Sequence, residues 1–204
     1  VVTNSLDMSR ITLSYDSLRT KYGVNIVNDI ATAVDPVAHT VSLGGGTTLP
    51  YDRLVLAPGI DFIRPFGWDE NLAPHAWQAG PQTTLLRSQL AAMENGALFV
   101  MTVPKSPYRC PPGPYERACV VADYLRMNKP NSKVILLDAN PNITAEPHNF
   151  GNAFATIYKD LIAYYPNATI TAFDHANKRV NTSIGPLDYG VLNYIPDQQA
   201  GRIV

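Results

Sequence analysis

One segment constrains this chain more than any other: Arg109-Cys110-Pro111-Pro112-Gly113-Pro114-Tyr115-Glu116-Arg117. It lies between an apolar run at 97–103 and an apolar-periodic run at 118–125. The first run predicts a buried strand and the second a helix. In α/β domains a strand–turn–helix usually carries a glycine-rich loop that cradles phosphate at the helix N-terminus. This loop is proline-rich instead. Proline offers no N–H to a phosphate, and its ring fills the space that glycine leaves open. What the loop does carry is a thiol and a carboxylate. Its placement points to a nucleotide-domain ancestry, and its residues point to cysteine redox chemistry.

The flanking pattern extends the α/β reading. Pro81 suits the first position of a helix over 82–93. The strand at 97–103, the loop, a helix over 114–128 and a strand at 133–137 then form a parallel crossover. An amphipathic helix is expected at 152–165, a strand at 169–173 and a last strand at 191–195. Upstream, residues 14–22 predict a helix with Leu13, Leu18 and Tyr22 on one side and Gly23 as its cap. Short strand-like runs at 24–27, 30–34, 40–43 and 47–50 are punctuated by Asp35-Pro36 and Gly44-Gly45-Gly46, the pattern of an antiparallel meander. The apolar run at 54–57 fits a strand buried on both faces, and Pro58-Gly59 ends it. Residues 60–80 form a long connection that Trp68 and Trp77 anchor to the core.

Composition removes several functions. A net charge of −1 over 204 residues argues against a nucleic-acid partner or a polybasic membrane surface. No apolar run approaches the roughly 20 residues of a spanning helix. Two cysteines, Cys110 and Cys119, are too few for a disulfide scaffold, and a helix starting near Pro114 disfavours pairing them. The four histidines, His39, His75, His148 and His175, show no metal-ligand spacing. Asp138 ends a strand where a Rossmann acid would hold ribose, but without a glycine loop it reads as a relic or a helix-start residue.

Cys110 sits at the mouth of a helix, where Arg109 and the helix dipole favour the thiolate and Glu116 opposes it. A half-buried structural cysteine is the alternative. For Glu116 the alternative is ordinary dipole complementation in a first helical turn. Cys119, among Ala118, Val120, Val121 and Ala122, reads as a small core residue.

Two stretches carry a resemblance. Residues 51–59, Tyr-Asp-Arg-Leu-Val-Leu-Ala-Pro-Gly, are similar to the strand that closes the first half of the FAD domain in two-dinucleotide-binding-domain flavoproteins. Residues 109–118 resemble the flavoprotein subunit of flavocytochrome c sulfide dehydrogenase, and residues 74–77, 129–135 and 195–201 strengthen the match. The resemblance implies an α/β fold. Residues 63–196 would be the Rossmann-like second domain of a glutathione-reductase-like flavoprotein. Residues 1–62 would be part of the FAD domain with an antiparallel meander, and 197–204 the return to that domain.

The resemblance also implies function. Sulfide or polysulfide would be oxidised through a redox cysteine pair to FAD, and electrons would pass to a c-type cytochrome subunit in the periplasm. Cys110 matches one redox cysteine, and Glu116 an acid considered as a proton acceptor. Ala57, Pro58 and Gly59 would meet the FAD, as would the backbone of Ile30 and Ala31, with weaker support for Pro196 and Gln198. The family's Gly-x-Gly-x-x-Gly, flavin-tethering cysteine and second redox cysteine have no counterpart in these residues. The chain is therefore expected to be a middle fragment, inactive alone, poor at retaining FAD and prone to self-association. A flavoprotein-like binding or assembly module without catalysis is one alternative. A pyridine-nucleotide-dependent disulfide oxidoreductase is the other, and the proline-rich loop argues against it.

Overall fold

The computed structural model describes residues 1–203. The chain divides into two compact units. One comprises Val1–Met8 and Phe62–Gln198, the other Ser9–Asp61 and the residues from Gln199 onward.

The smaller unit contains helix α1 (Asp16–Tyr22) and strands β1 (Ala31–Asp35), β2 (Thr40–Leu43) and β3 (Thr48–Pro50). Gly23 adopts the left-handed conformation and caps α1 through the carbonyls of Arg19 and Leu18. The three strands form the expected antiparallel meander in the order β1-β2-β3. Asp35 Oδ1 accepts from the N–H groups of Val37 and Ala38, closing the turn that Asp35-Pro36 signals. Asp29 ties the sheet's other end by accepting from Ile30 N and Gly45 N. A Cβ at Gly45 would lie 2.8 Å from Asp29 Oδ2, so a side chain there would displace that carboxylate.

Two expected strands are absent from this unit. Residues 24–27 and 54–57 are not in strands, and Val55 is 89% exposed. An apolar run becomes a buried strand only with a ladder partner and covered faces, and among the described residues no strand pairs with either run. Leu13, Leu18 and Tyr22 are likewise exposed.

After strand β4 (Ile60–Phe62), whose first two residues belong to the smaller unit, come α2 (Pro81–Ala92), β5 (Leu98–Val103), α3 (Gly113–Asn128), β6 (Lys133–Asp138) and α4 (Pro147–Ala155). Then come β7 (Ile162–Tyr165), β8 (Ile170–Asp174), β9 (Arg179–Thr182), β10 (Gly185–Asp188), β11 (Val191–Asn193) and β12 (Gln198–Ala200), which pairs with β4. The centre is a parallel sheet in the order β11-β5-β6-β7. Register aligns Leu192, Val100 and Ile135 across it. Because side chains alternate along a strand, these residues join Leu137, Ala168, Val180 and Tyr189 in one core. The antiparallel sheet β10-β9-β8 packs on this core through Ile170, Phe173 and Leu187. Phe99, Met101, Val103, Leu136 and Asp138 alternate to the opposite face, where the fully buried Tyr115 of α3 hydrogen-bonds Asp138.

The helix expected at 152–165 is a correction. Helix α4 ends at Ala155, a turn follows in which Leu161 N and Ile162 N both bond Tyr158 O, and 162–165 becomes β7. The spacing over 152–165 satisfies a helical period, but periodicity is blind to the open edge of β6, which Ile162, Ala163, Tyr164 and Tyr165 pair with. The hairpin of β9 and β10 has no counterpart in the sequence reading. It is closed by Arg179 facing Asp188, with Nε and Nη2 on the two carboxylate oxygens.

The connection at 63–80 is well packed. Trp68 Nε1 donates to Ala73 O, its ring lies 5.5 Å from that of Tyr194, and Ala73, His75, Ala76 and Trp77 are buried. Both tryptophans anchor it, as the sequence suggests.

Candidate functional site

The parallel strand β5 delivers the chain to Pro104, and α3 begins at Gly113. Between them lies the cysteine loop. Cys110 is exposed and holds φ at +60°, a left-handed conformation uncommon for a residue with a side chain. Three contacts impose it. Gly113 N donates to Cys110 O at 3.0 Å. Arg109 O accepts from Trp77 Nε1 at 3.2 Å, and Arg109 N donates to Gln198 Oε1 at 2.8 Å. Beneath the loop, Tyr108 Oη bonds Pro111 O and Thr144 Oγ1.

Cys110 and Glu116 are brought together. They line a cleft of about 380 Å³ with Trp77, Arg109, Gly113 and Arg117, closed by Val120 and the first three residues. Gly113 is the floor of this cleft. A Cβ there would lie 2.7 Å from Trp77 Cη2 and 3.1 Å from Cys110 Sγ, so only glycine lets the thiol and the indole share the space. Glu116 is exposed in the first turn of α3. Cys119 lies further along α3, half-buried, and burial first, with Asp123 adding to it, pushes its thiol up to about 11. Both thiols are free. A larger cavity of about 590 Å³ opens at the start of β5 between Met93, Leu98, His175 and Tyr189, and it holds neither cysteine.

Three further residues shape this site; the sequence singled out neither Arg117 nor His75 for it, and Gln198 only as a weakly supported flavin contact. Arg117 is held by His75 O at 3.1 Å, Asn193 Oδ1 at 3.0 Å and Ala76 O at 2.6 Å, with its guanidinium 5.0 Å from the Trp77 ring. Burial lowers it to about 10, and attraction to Cys110 works the other way. It shares a helix face with Pro114, Ala118 and Val121, so a charge in an apolar stripe was the available signal. Gln198, which holds Arg109, has a buried Nε2 with no acceptor. His75 is 4% exposed; its Nδ1 accepts from Trp77 N, and burial pulls it down to about 4.

Asp138 has a different duty from ribose binding. Its Oδ2 accepts from Tyr115 Oη and Tyr164 Oη, and its Oδ1 from Asn140 N and Asn140 Nδ2. A carboxylate has about four lone-pair sites, and all are taken on this fully buried one. The other predicted contact residues belong to the smaller unit. Ile30 is 74% exposed with its carbonyl bonded to Gly44 N, and Ala31 begins β1 opposite Leu43. Ala57, Pro58 and Gly59 form an irregular segment in which Gly59 holds φ at +75° and Gly201 packs on Pro58. Among the described residues, no group of three His, Cys, Asp or Glu could hold a metal, and no helix is long and apolar enough to cross a membrane.

An α/β unit with a parallel sheet, extended by antiparallel sheets, defines about half of a two-dinucleotide-binding flavoprotein reductase. The chain is similar to the sulfide:quinone oxidoreductase of the hyperthermophilic bacterium Aquifex aeolicus (TM-score 0.73, 19% identity, covering 90% of this chain and 45% of that one). It is also similar to putidaredoxin reductase in its covalent complex with putidaredoxin (TM-score 0.68, 17% identity, 97% and 47%). A ferredoxin reductase from Rhodopseudomonas palustris gives the same picture (TM-score 0.68, 14% identity, 97% and 47%). The chain thus spans about half the length of these structures. The family model of the sulfide dehydrogenase (flavocytochrome c) flavoprotein chain, central region, matches residues 83–196, more than half of the chain. The chain belongs to that family, whose members are FAD flavoproteins.

Proposed function

We propose that this chain carries the cysteine site of a sulfide-oxidising flavoprotein, with Cys110 as the redox thiol and Glu116 as the proton acceptor. The single observation that carries the reading is the cleft itself. Within the stretch that matches the family, an exposed thiol on a constrained loop shares a cavity with a carboxylate and the half-buried guanidinium of Arg117. Glu116 would take a proton from hydrogen sulfide, leaving hydrosulfide as the nucleophile. Hydrosulfide would attack Cys110 Sγ in its oxidised, disulfide-bonded form. The new S–S bond makes a persulfide on Cys110, the old S–S bond breaks, and the partner sulfur leaves as thiolate. Sulfide sulfur is oxidised and the disulfide is reduced by the same electron pair. Cys119 is a poor partner, because its half-buried thiol is disfavoured as the thiolate.

FAD, when bound, would supply the two-electron acceptor that reoxidises the thiols, and the c-type cytochrome that the family's name implies would take the electrons onward in the periplasm. The residues present fit such a group. Gln198 Nε2 is a buried donor lacking an acceptor beside the cysteine loop, which suits a carbonyl or ring nitrogen of a flavin. Ile30, Ala31, Ala57, Pro58 and Gly59 are the proposed backbone contacts, and the positive φ of Gly59 permits a close approach there. The saturated Asp138 argues against a nicotinamide dinucleotide in this unit. The test is sulfide-dependent bleaching of the flavin in the holoprotein and in Cys110→Ser. The proposal expects loss of bleaching in the variant; bleaching at the unaltered rate overturns it.

A further inference from the structure

Arg117 is a charge in the cysteine cleft that neither the loop's sequence nor the redox reading accounts for. It occupies the buried face of α3, one residue past Glu116. Its hydrogen-bond acceptors are all neutral: two backbone carbonyls and the amide oxygen of Asn193. Among the described residues it forms no ion pair with a carboxylate, whereas Arg19, Arg64, Arg87, Arg126 and Arg179 each do. A half-buried guanidinium without a counter-anion is costly unless its field is used. The fork is also fixed, since the carbonyls of His75 and Ala76 and the Trp77 ring hold it from one side and Asn193 from the other. The anion-forming group that shares its cleft is a thiol, Cys110 Sγ, which packs with the same Trp77 ring against Gly113.

We propose that Arg117 is the positioning residue that sets the charge state of the Cys110 site, its fixed cation favouring the thiolate and any anionic sulfur bound to it. The inference rests on the redox reading of Cys110. The other charged groups facing the thiol divide by element. Arg109, on the loop, lines the cleft but is exposed, with its backbone tied to Trp77 and Gln198, and the N-terminal Val1 lines the same cleft. Glu116, on α3, is exposed and opposes thiolate formation. Tyr108 is neutral, with burial pushing its hydroxyl up. His75, on the 63–80 connection, is neutral at pH 7 because burial depresses it. Arg117 is then the cation least screened by water, and hence the one with the strongest field at the sulfur.

The test is the rate of Cys110 alkylation by iodoacetamide at neutral pH in the anaerobically reduced holoprotein, read by peptide mass spectrometry. Arg117→Gln is expected to slow the reaction roughly tenfold at neutral pH. Arg117→Lys restores most of the rate, and the exposed-site control Arg109→Gln changes it less than about threefold. A folded Arg117→Gln protein with an unchanged rate overturns the proposal and leaves Arg117 as a staple for residues 75–77. Where Arg117→Gln fails to fold, the unaltered protein decides. Anionic iodoacetate must then react with Cys110 faster relative to iodoacetamide than it does with free cysteine, and this preference must persist in Arg109→Gln. A ratio equal to that of free cysteine overturns the proposal. Flavin bleaching by sulfide in Cys110→Ser is independent of these readouts, so failure of the redox reading is distinguishable from failure of the Arg117 assignment.

Discussion

His75 gives the structure a measurable acid sensitivity next to the cysteine cleft. Its ring is enclosed by Phe62 at 4.4 Å and Trp68 at 6.3 Å, and its Nδ1 must be unprotonated to accept from Trp77 N. Burial is the main cause of its depression to about 4; Glu70 pulls upward, and Arg117 and Arg64 push further down. In the unfolded chain it titrates near 6.5. The folded state therefore disfavours the proton. The stability this group contributes is whole above pH 6.5, is lost as pH falls from 6.5 toward 4, and does not change below that, where both states are charged. At about 1.4 kcal/mol per unit the loss is about 3 kcal/mol. Urea unfolding followed by tryptophan fluorescence, at pH values from 7.5 down to 4, measures it in the unaltered protein and in His75→Asn. The asparagine keeps an acceptor for Trp77 N but does not titrate. It is expected to be less stable than the unaltered protein at pH 7.5 and to lose about 3 kcal/mol less on acidification. Parallel pH profiles for the two proteins, or a His75 midpoint near 6.5 by NMR, would refute the reasoning.

The remaining expectations concern the cleft and its neighbours. Cys110 should alkylate at least roughly tenfold faster than Cys119 at pH 7.5, since Cys119 is half-buried with its thiol pushed up to about 11; equal or reversed rates by peptide mass spectrometry count against the assignment. Gly113→Ala places a methyl 2.7 Å from Trp77 Cη2. It should cost about 1–3 kcal/mol in urea unfolding and shift tryptophan emission, so an unchanged spectrum with stability intact shows the floor of the cleft to be looser than described. Calorimetry should detect no NADH binding tighter than about 100 µM, because Asp138 has no free acceptor; micromolar binding would mean that the tyrosine network opens.

The sequence was most legible where local rules and tertiary packing agree. Pro81 at the start of α2, Gly23 at the end of α1 and the apolar runs of β5 and β6 each fall where propensity puts them. The crossover around the cysteine loop was therefore visible from residues alone. It failed where a pattern needed a partner. The run at 54–57 is as apolar as β6 but has no ladder, and 162–165 fits a helix until the edge of β6 is present to pair with it. At the site, Cys110 and Glu116 were legible because they stand in an unusual loop. Arg117 and His75 were not, and Gln198 was legible only as a weakly supported flavin contact, because their roles depend on long-range contacts. Arg117 reaches residues 41, 42 and 76 positions away, and Gln198 reaches Arg109 across 89.

The central claim is that sulfur chemistry passes through Cys110. The direct measurement is anaerobic mixing of the oxidised holoprotein with one equivalent of sulfide, rapid alkylation, and mass spectrometry of the peptides bearing Cys110 and Cys119. The account predicts an alkylated Cys110 peptide heavier by one sulfur atom, with Cys119 unchanged. Flavin reduction with no added sulfur on Cys110, or added sulfur on Cys119 alone, would contradict it.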